Sequence, residues 1–148
     1  RDYKVTGVQT CALPILAPYR AGVFDRVLVD APCTGLGALR RRPEARWRRK
    51  ADDVVTLVML QRQLVRSALD LVRPGGVVLY ATCSPVISET SSVVTSVNGA
   101  RADAELVSLA EQFAHVPRSE GPVPGTVQLW PHRHGTDAMF MALFRRVA

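Results

Sequence analysis

Several features are scarce in this 148-residue sequence, and each scarcity excludes a class of protein. No apolar run approaches the roughly 18 residues of a transmembrane helix. No basic-then-apolar leader with a small-residue cleavage site opens the chain either. Aromatic residues make up only 6% of the sequence, but hydrophobic residues make up 47%, which suits a packed α/β core and argues against disorder. We therefore expect a soluble cytoplasmic protein.

Cysteine is also rare, with three residues in the whole chain. An odd number of cysteines does not predict a disulfide framework, and it indicates thiols in a reducing compartment. A zinc site is a poor interpretation, because no C-x-x-C pair occurs and no histidine lies near Cys33 or Cys83 in the sequence. No metal is therefore expected, and Cys11 is interpreted as an incidental thiol.

The most informative stretch is an apolar run that stops at Asp30 and is followed closely by Cys33. Val27–Val29 are apolar without alternation, which is typical of a parallel strand covered on both faces, and Pro32 and Gly35 end it. In open α/β sheets, ligands bind outside the carboxyl ends of the strands. Asp30 and Cys33 therefore lie where a pocket is expected.

A second apolar strand repeats this arrangement, because it opens after a Pro-Gly-Gly turn and closes at a polar triplet that contains Cys83. Between the two strands, Asp52 or Asp53 can cap a helix whose apolar positions form one broad stripe from Val54 to Val72. A strand, a helix and a strand at this spacing form a right-handed crossover, so the two strands should be parallel and adjacent.

The remaining sequence predicts smaller elements. A short helix over Glu89–Val97 and a strand over Ala104–Leu109 are followed by two segments, Val127–Trp130 and Met139–Phe144, that suggest a closing antiparallel hairpin. The predicted fold class is therefore α/β, with parallel strands, crossover helices and a carboxyl-terminal antiparallel hairpin.

The positive charge of the chain is concentrated in one segment. The net charge is +6, and Arg40–Lys50 accounts for all of it, with seven basic residues and one acidic residue. Phosphate neutralisation is the main source of sequence-independent affinity for nucleic acids, so a polyanionic partner is predicted, although a solvated charge run is the alternative. The candidate RNA-binding residues are Arg40, Arg41, Arg42, Arg46, Trp47, Arg48, Arg49 and Lys50.

Several motifs in order resemble the Sun/Fmu family of RNA cytosine-5 methyltransferases. They are Asp-Ala-Pro-Cys at 30–33, an Arg-Arg-Pro segment with Trp47, a Leu-Val-Arg-Pro-Gly-Gly turn, Thr-Cys-Ser at 82–84, Glu89, and Leu-Trp-Pro-His-Arg-His-Gly-Thr-Asp near the carboxyl terminus. The resemblance covers roughly 24–146. It implies a Rossmann-like methyltransferase sheet, S-adenosylmethionine as cofactor, and RNA as substrate, with ribosomal RNA as the expected RNA.

The resemblance also implies roles for individual residues. Cys83 would be the nucleophile that adds to carbon 6 of cytosine, because carbon 5 is too electron-poor to take a methyl group until its neighbour carries a thiolate. Asp30 would contact the base, and Cys33 would assist elimination of the adduct. Asp30 and Pro32 would also contact the cofactor. A free thiol is mostly protonated at neutral pH, so the site must favour the thiolate.

The sequence departs from the family's pattern at its beginning. The family's main cofactor signature, Asp-x-Cys-Ala-Ala-Pro-Gly-Gly-Lys after a strand, is absent, although it should precede Phe24. Residues 1–16 are interpreted as an atypical leader that is either foreign or truncated, and residues 17–148 as the carboxyl-terminal part of a methyltransferase catalytic domain, which we expect to be inactive alone.

Two other function classes remain open at this point. The cationic segment could serve a non-catalytic RNA-binding module, and Cys33 with Cys83 could serve a thiol redox protein. Methyl transfer to RNA distinguishes a methyltransferase from a binding module, whereas only a redox protein requires a reversible disulfide that changes activity.

Overall fold

The elements of the fold follow the predicted order of strand, helix and strand, and they continue with shorter pieces. The computed structural model describes residues 19–147. The strands are β1 (Phe24–Asp30), β2 (Val72–Thr82), β3 (Ala104–Val107), β4 (Val127–Gln128) and β5 (Phe140–Arg146), and the α-helices are α1 (Ala45–Arg48), α2 (Ala51–Leu71), α3 (Ser91–Ala100) and α4 (Pro131–His134). The predicted leader at 1–16 and its Cys11 lie outside the described residues.

The five strands form one mixed sheet in the order β1-β2-β5-β3, with β4 paired to β5. β1 and β2 are parallel neighbours, and α2 connects them, which confirms the predicted crossover. β5 runs antiparallel to β2, β3 and β4, which confirms an antiparallel carboxyl-terminal arrangement. The α/β fold class predicted from the sequence is thus confirmed.

The long helix α2 packs its predicted apolar stripe into the core. It begins at Ala51, so Asp53 acts from the third helical position, where its carboxylate accepts a 2.9 Å hydrogen bond from the Lys50 backbone N–H. The apolar side chains of the stripe bury against the sheet because they repeat with the helical period. The buried members are Leu57, Val58, Leu60, Leu64, Val65, Ala68 and Leu69.

The start of β2 differs from the predicted turn. The strand already pairs at Val72, whose partner is Phe24, but the next pair in register is Arg26 with Val77. The intervening residues bulge out of the ladder, and Gly75 takes a φ of +79°, which a side chain would disfavour. The Pro-Gly-Gly signal therefore marks an irregularity inside the strand instead of a break between the helix and the strand.

The prediction that β1 is covered on both faces is wrong for the described residues. Leu28 is 64% exposed, and Val29 is the one residue of the strand that is buried. Within residues 19–147, β1 is an edge strand that pairs with β2 alone, so an apolar run at this position is not enclosed.

The connection after β2 also differs from the prediction. A 3₁₀ turn covers Ile87–Glu89, and the helix begins only at Ser91 and continues past Gly99 to Ala100. Glu89 therefore lies in the turn between β2 and α3 and not on the helix. In the part of the chain that the structure describes, no helix is long and apolar enough to cross a membrane.

Candidate active site

The carboxyl ends of β1 and β2 bring the two predicted catalytic thiols into contact. Asp30 is level with Ala81 in the parallel ladder, and the Ala31 N–H continues the pairing to the Ala81 carbonyl at 2.9 Å. The chain then leaves both strands at the same edge, so the Sγ atoms of Cys33 and Cys83 lie 3.5 Å apart. Both side chains are partly exposed and reduced. The structure thus places the two thiols together, as their equivalent strand positions predict.

The contact shifts the pKa values of the two thiols in opposite directions. When Cys33 is ionised, the Cys83 thiol donates to its sulfur, and this hydrogen bond lowers the pKa of Cys33 to about 6 although burial opposes the shift. The pKa of Cys83 is raised well above its usual range, because its proton is held in that hydrogen bond and because the group is partly buried. The pair therefore releases one proton easily and keeps the second, and the hydrogen bond from the partner thiol stabilises the thiolate.

Asp30 faces a large cavity beside the thiols. The cavity has a volume of about 750 Å³, and Asp30, Pro32, Cys33 and Cys83 all border it. Apolar side chains of β1 and α2 form most of its other walls, and Arg42 and Arg49 border it as well. The Asp30 carboxylate is exposed and makes no hydrogen bond or ion pair with residues 19–147, so it is available to a ligand. Pro32 is exposed too, and its carbonyl accepts a 2.9 Å hydrogen bond from Gln61 of α2.

The cationic segment Arg40–Lys50 lies next to Cys83. It is loop with one short helix, α1, and its charged side chains are exposed, as is Trp47 at 78%. Arg49 is anchored, because its Nε donates to the Thr34 carbonyl at 3.1 Å. A second cavity of about 370 Å³ opens here, and it is bordered by Cys83 and three arginines of the segment, which are Arg42, Arg48 and Arg49.

Two of the predicted RNA-binding arginines form ion pairs with a carboxylate of the protein itself. Arg40 donates to the buried carboxylate of Asp137 at 2.8 Å, and Arg41 makes a two-point ion pair with the same carboxylate. The Arg41 and Arg40 guanidinium groups lower the pKa of Asp137. The expectation that the whole segment is free for phosphate is therefore wrong for these two side chains, which fasten the segment to the residues before β5.

A glycine connects the same region to the loop of Cys83. The Gly37 N–H donates to the Cys83 carbonyl at 3.0 Å, and the Gly37 carbonyl accepts from the Ala138 N–H at 2.9 Å. A Cβ atom at position 37 would lie 2.4 Å from the Ala138 oxygen and 2.7 Å from the Cys83 oxygen, so a side chain there is excluded. The loop after β1 can therefore approach the Cys83 backbone closely only because residue 37 is glycine.

Glu89 is the main feature of the site to which sequence reasoning assigned no role. Its side chain is fully buried and accepts hydrogen bonds from Thr34, Ser84 and Gln61. The carboxylate thus contacts the residues that directly follow Cys33 and Cys83. The sequence does show an acidic residue shortly after a strand that ends in a candidate nucleophile. It does not show that the hydrogen-bond partners of this residue come from three separate segments, because only the folded structure brings those segments together.

The family model of the 16S rRNA methyltransferases RsmB/F matches residues 10–145. The chain belongs to the RsmB/F family. A predicted methyltransferase of Mycobacterium tuberculosis is 59% identical over 124 residues, and the ribosomal RNA small subunit methyltransferase B of Pasteurella multocida is 36% identical over 124 residues. The matches cover 84% of this chain in both cases, but only 27% and 26% of those proteins. This RsmB/F chain therefore spans about a quarter of the length of the curated relatives that it matches.

Solved structures support the same family placement. The crystal structure of PH0851 superposes with a TM-score of 0.79 at 39% identity, over 85% of this chain and 27% of that one. The NSun6 structure from Pyrococcus horikoshii, which was solved with SFG, superposes with a TM-score of 0.64 at 27% identity, over 82% of this chain and 29% of that one.

Proposed function

We propose that this chain is the thiol-bearing part of an S-adenosylmethionine-dependent methyltransferase that modifies carbon 5 of a cytosine in ribosomal RNA. The contact between Cys33 and Cys83 carries the proposal, because it gives the site a nucleophile and a neighbouring base. Membership in the RsmB/F family supports RNA as the substrate class. The thiol pair alone would also fit redox chemistry, but the exposed Asp30 and the adjoining basic cavity have a use only when a ligand binds.

The geometry supports a role for each thiol. The Cys33 thiolate takes the proton of Cys83 across 3.5 Å as the Cys83 sulfur bonds to carbon 6 of cytosine, so no free Cys83 thiolate is needed, and carbon 5 of the adduct becomes nucleophilic enough to accept a methyl group. Cys33 returns its proton to solvent and, as a thiolate again, can take the carbon 5 proton; the electron pair of that C–H bond re-forms the ring double bond as the Cys83 sulfur leaves as a thiolate. Cys33 lies beside the adduct throughout, so it is placed to assist this second stage.

The larger cavity suits the cofactor. Its apolar walls can pack against an adenosyl group, and the exposed Asp30 carboxylate can bind a positively charged ligand or a hydrogen-bond donor at its edge. Asp30 and Pro32 would hold the ligand next to the thiols. Bound there, S-adenosylmethionine would supply the methyl group from its sulfonium.

The smaller cavity suits the RNA backbone. Arg42, Arg48 and Arg49 border it, and guanidinium groups bind phosphate oxygens with paired hydrogen bonds. Trp47 is exposed on the same segment, where its ring can stack on an unpaired base. Because Cys83 borders both cavities, a base turned out of the RNA stack would meet the nucleophile between the backbone site and the cofactor site.

A chimera tests the proposal. In this protein, the present chain replaces the matching 124-residue segment of the Mycobacterium tuberculosis relative, and it is incubated with small-subunit ribosomal RNA and S-adenosylmethionine labelled on its methyl group. We expect labelled 5-methylcytosine in a nucleoside digest of the RNA. Label on another nucleoside would overturn the assignment of the target atom.

The same assay separates the alternative functions. A folded chimera that binds RNA and transfers no label would favour a non-catalytic RNA-binding module. A chimera that transfers no methyl group, but forms a reversible disulfide between Cys33 and Cys83 that switches a thiol-dependent activity off and on, would favour a thiol redox protein.

A further inference from the structure

The buried carboxylate of Glu89 accepts hydrogen bonds from residues that lie outside its own 3₁₀ turn. Oε1 accepts from the Thr34 N–H at 2.8 Å and from Gln61 Nε2 at 3.2 Å, while Oε2 accepts from the Thr34 and Ser84 hydroxyls at 2.6 Å each. All four residues are at most 1% exposed. Within residues 19–147, its side-chain partners are hydrogen-bond donors and not cations, so the carboxylate depends on all of them to offset its burial.

The identity of these donors relates the carboxylate to the thiols. Thr34 directly follows Cys33, and Ser84 directly follows Cys83. Gln61 extends the network to α2 and also holds the Pro32 carbonyl at 2.9 Å. The backbone of Glu89 is fixed as well, because its carbonyl accepts from the buried Tyr80 hydroxyl of β2 at 2.6 Å.

We infer that Glu89 is a positioning residue that bridges the loops after β1 and β2 and thereby holds Cys33 and Cys83 in contact. Each thiol is one residue from an anchor on the same carboxylate, so the sulfur separation depends on the bridge. A carboxylate is suited to this role, because it is an acceptor on both oxygens and can take several donors at once. The inference relies on the proposed function for its purpose, but thiol reactivity tests it without any methyl transfer.

Two substitutions separate the bridge from the charge. Glu89→Ala removes both, whereas Glu89→Gln removes the charge and keeps the side-chain length. The Thr34 and Ser84 hydroxyls lie 3.4 Å apart and can turn to accept from the new amide, so the bridge should survive in the glutamine variant. The negative charge of Glu89 by itself raises the pKa of Cys33, whereas the contact with Cys83 is the main cause that lowers it.

The experiment measures alkylation of Cys33 by iodoacetamide against pH in the 148-residue chain, with each cysteine resolved by peptide mass spectrometry. We expect Glu89→Ala to move the midpoint upward by about 1 pH unit or more, because the Cys83 donor is lost. Glu89→Gln should leave the midpoint at or slightly below its original value. Glu105→Ala on β3, where the carboxylate is exposed and pairs with Arg145, is the matched control and should change nothing.

A midpoint that is unchanged or lower in folded Glu89→Ala, as judged by circular dichroism, would overturn the inference. Should that variant not fold, Thr34→Val decides the question, because it removes one hydroxyl anchor with little change in volume and should also raise the midpoint. An unchanged midpoint in folded Thr34→Val would then count against the bridge.

Discussion

Two thiols of the same residue type lie 3.5 Å apart, yet their pKa values shift in opposite directions. Neither shift needs a metal or a cation, because the proton of one sulfur stabilises the negative charge on the other. The sequence predicts that Cys33 and Cys83 share one edge of the sheet, since their strands are parallel neighbours. It does not predict their hydrogen bond, which depends on loop paths set by Gly37 and by buried partners.

The pH dependence of thiol reactivity follows from this contact. In the unmodified chain, alkylation of Cys33 should reach half its maximal rate near pH 6, since the thiolate forms as pH rises through a pKa of about 6. Cys83→Ala removes the donor, so the midpoint should rise to that of an ordinary or buried thiol. Rates against pH for each cysteine-containing peptide measure this shift, and an unchanged midpoint would show that the thiols do not interact.

The two cysteines should also differ in the covalent step. In the chimera, Cys83→Ala should abolish methyl transfer, because no sulfur can add to the base. Cys33→Ala should leave a protein-RNA adduct that survives denaturation. The adduct should still form, because removing Cys33 removes the main cause of the raised pKa of Cys83 and lets that thiol ionise.

A denaturing gel with labelled RNA measures the adduct, and Cys33→Ala with Cys83→Ala is its control. Methyl transfer retained in Cys83→Ala, or normal turnover without an adduct in Cys33→Ala, would contradict these roles.

At the scale of elements, periodicity and turn residues predict most of the fold. The stripe of α2, the parallel pair β1 and β2, and the antiparallel β5 all follow from local patterns. The burial of β1 cannot be predicted in this way, because an apolar strand has the same sequence pattern whether or not a neighbouring element covers it. The Glu89 bridge cannot be predicted either, because it joins positions that are 28 and 55 residues apart along the chain.

The cationic segment carries a prediction at this scale. Arg42, Arg46 and Arg48 are exposed and have no acidic partner among residues 19–147, so they should contact phosphate. Replacing the three with Gln should weaken binding of all single-stranded RNA sequences alike. The slope of log affinity against log salt should flatten by about 0.7 per lost contact.

Arg40→Gln with Arg41→Gln is the matched control for that experiment, since the ion pairs with Asp137 occupy these two side chains. This variant should lower the melting temperature and change the salt slope less than the triple variant does. Filter binding over a salt series provides both slopes. Equal slopes in the triple variant and the unmodified chain would leave the segment as a solvated charge run.

At the scale of the whole molecule, the chain carries both thiols within about a quarter of the length of its relatives. We expect the isolated 148-residue chain to transfer no methyl group at a useful rate, because the family's glycine-rich cofactor signature is not in its sequence. Calorimetric titration with S-adenosylmethionine should show no tight binding, whereas the chimera should bind it. Micromolar affinity of the isolated chain would place the whole cofactor site on these residues.

The fastening of the cationic segment at both ends has an energetic consequence for RNA association. Asp137 holds its beginning through Arg40 and Arg41, and the Thr34 carbonyl holds its end through Arg49. A free loop of this length would lose backbone and side-chain entropy when it closed on a ligand, and that loss would weaken binding. Here folding has already restricted the ends, so less of the attraction between guanidinium groups and phosphates is offset by ordering the loop.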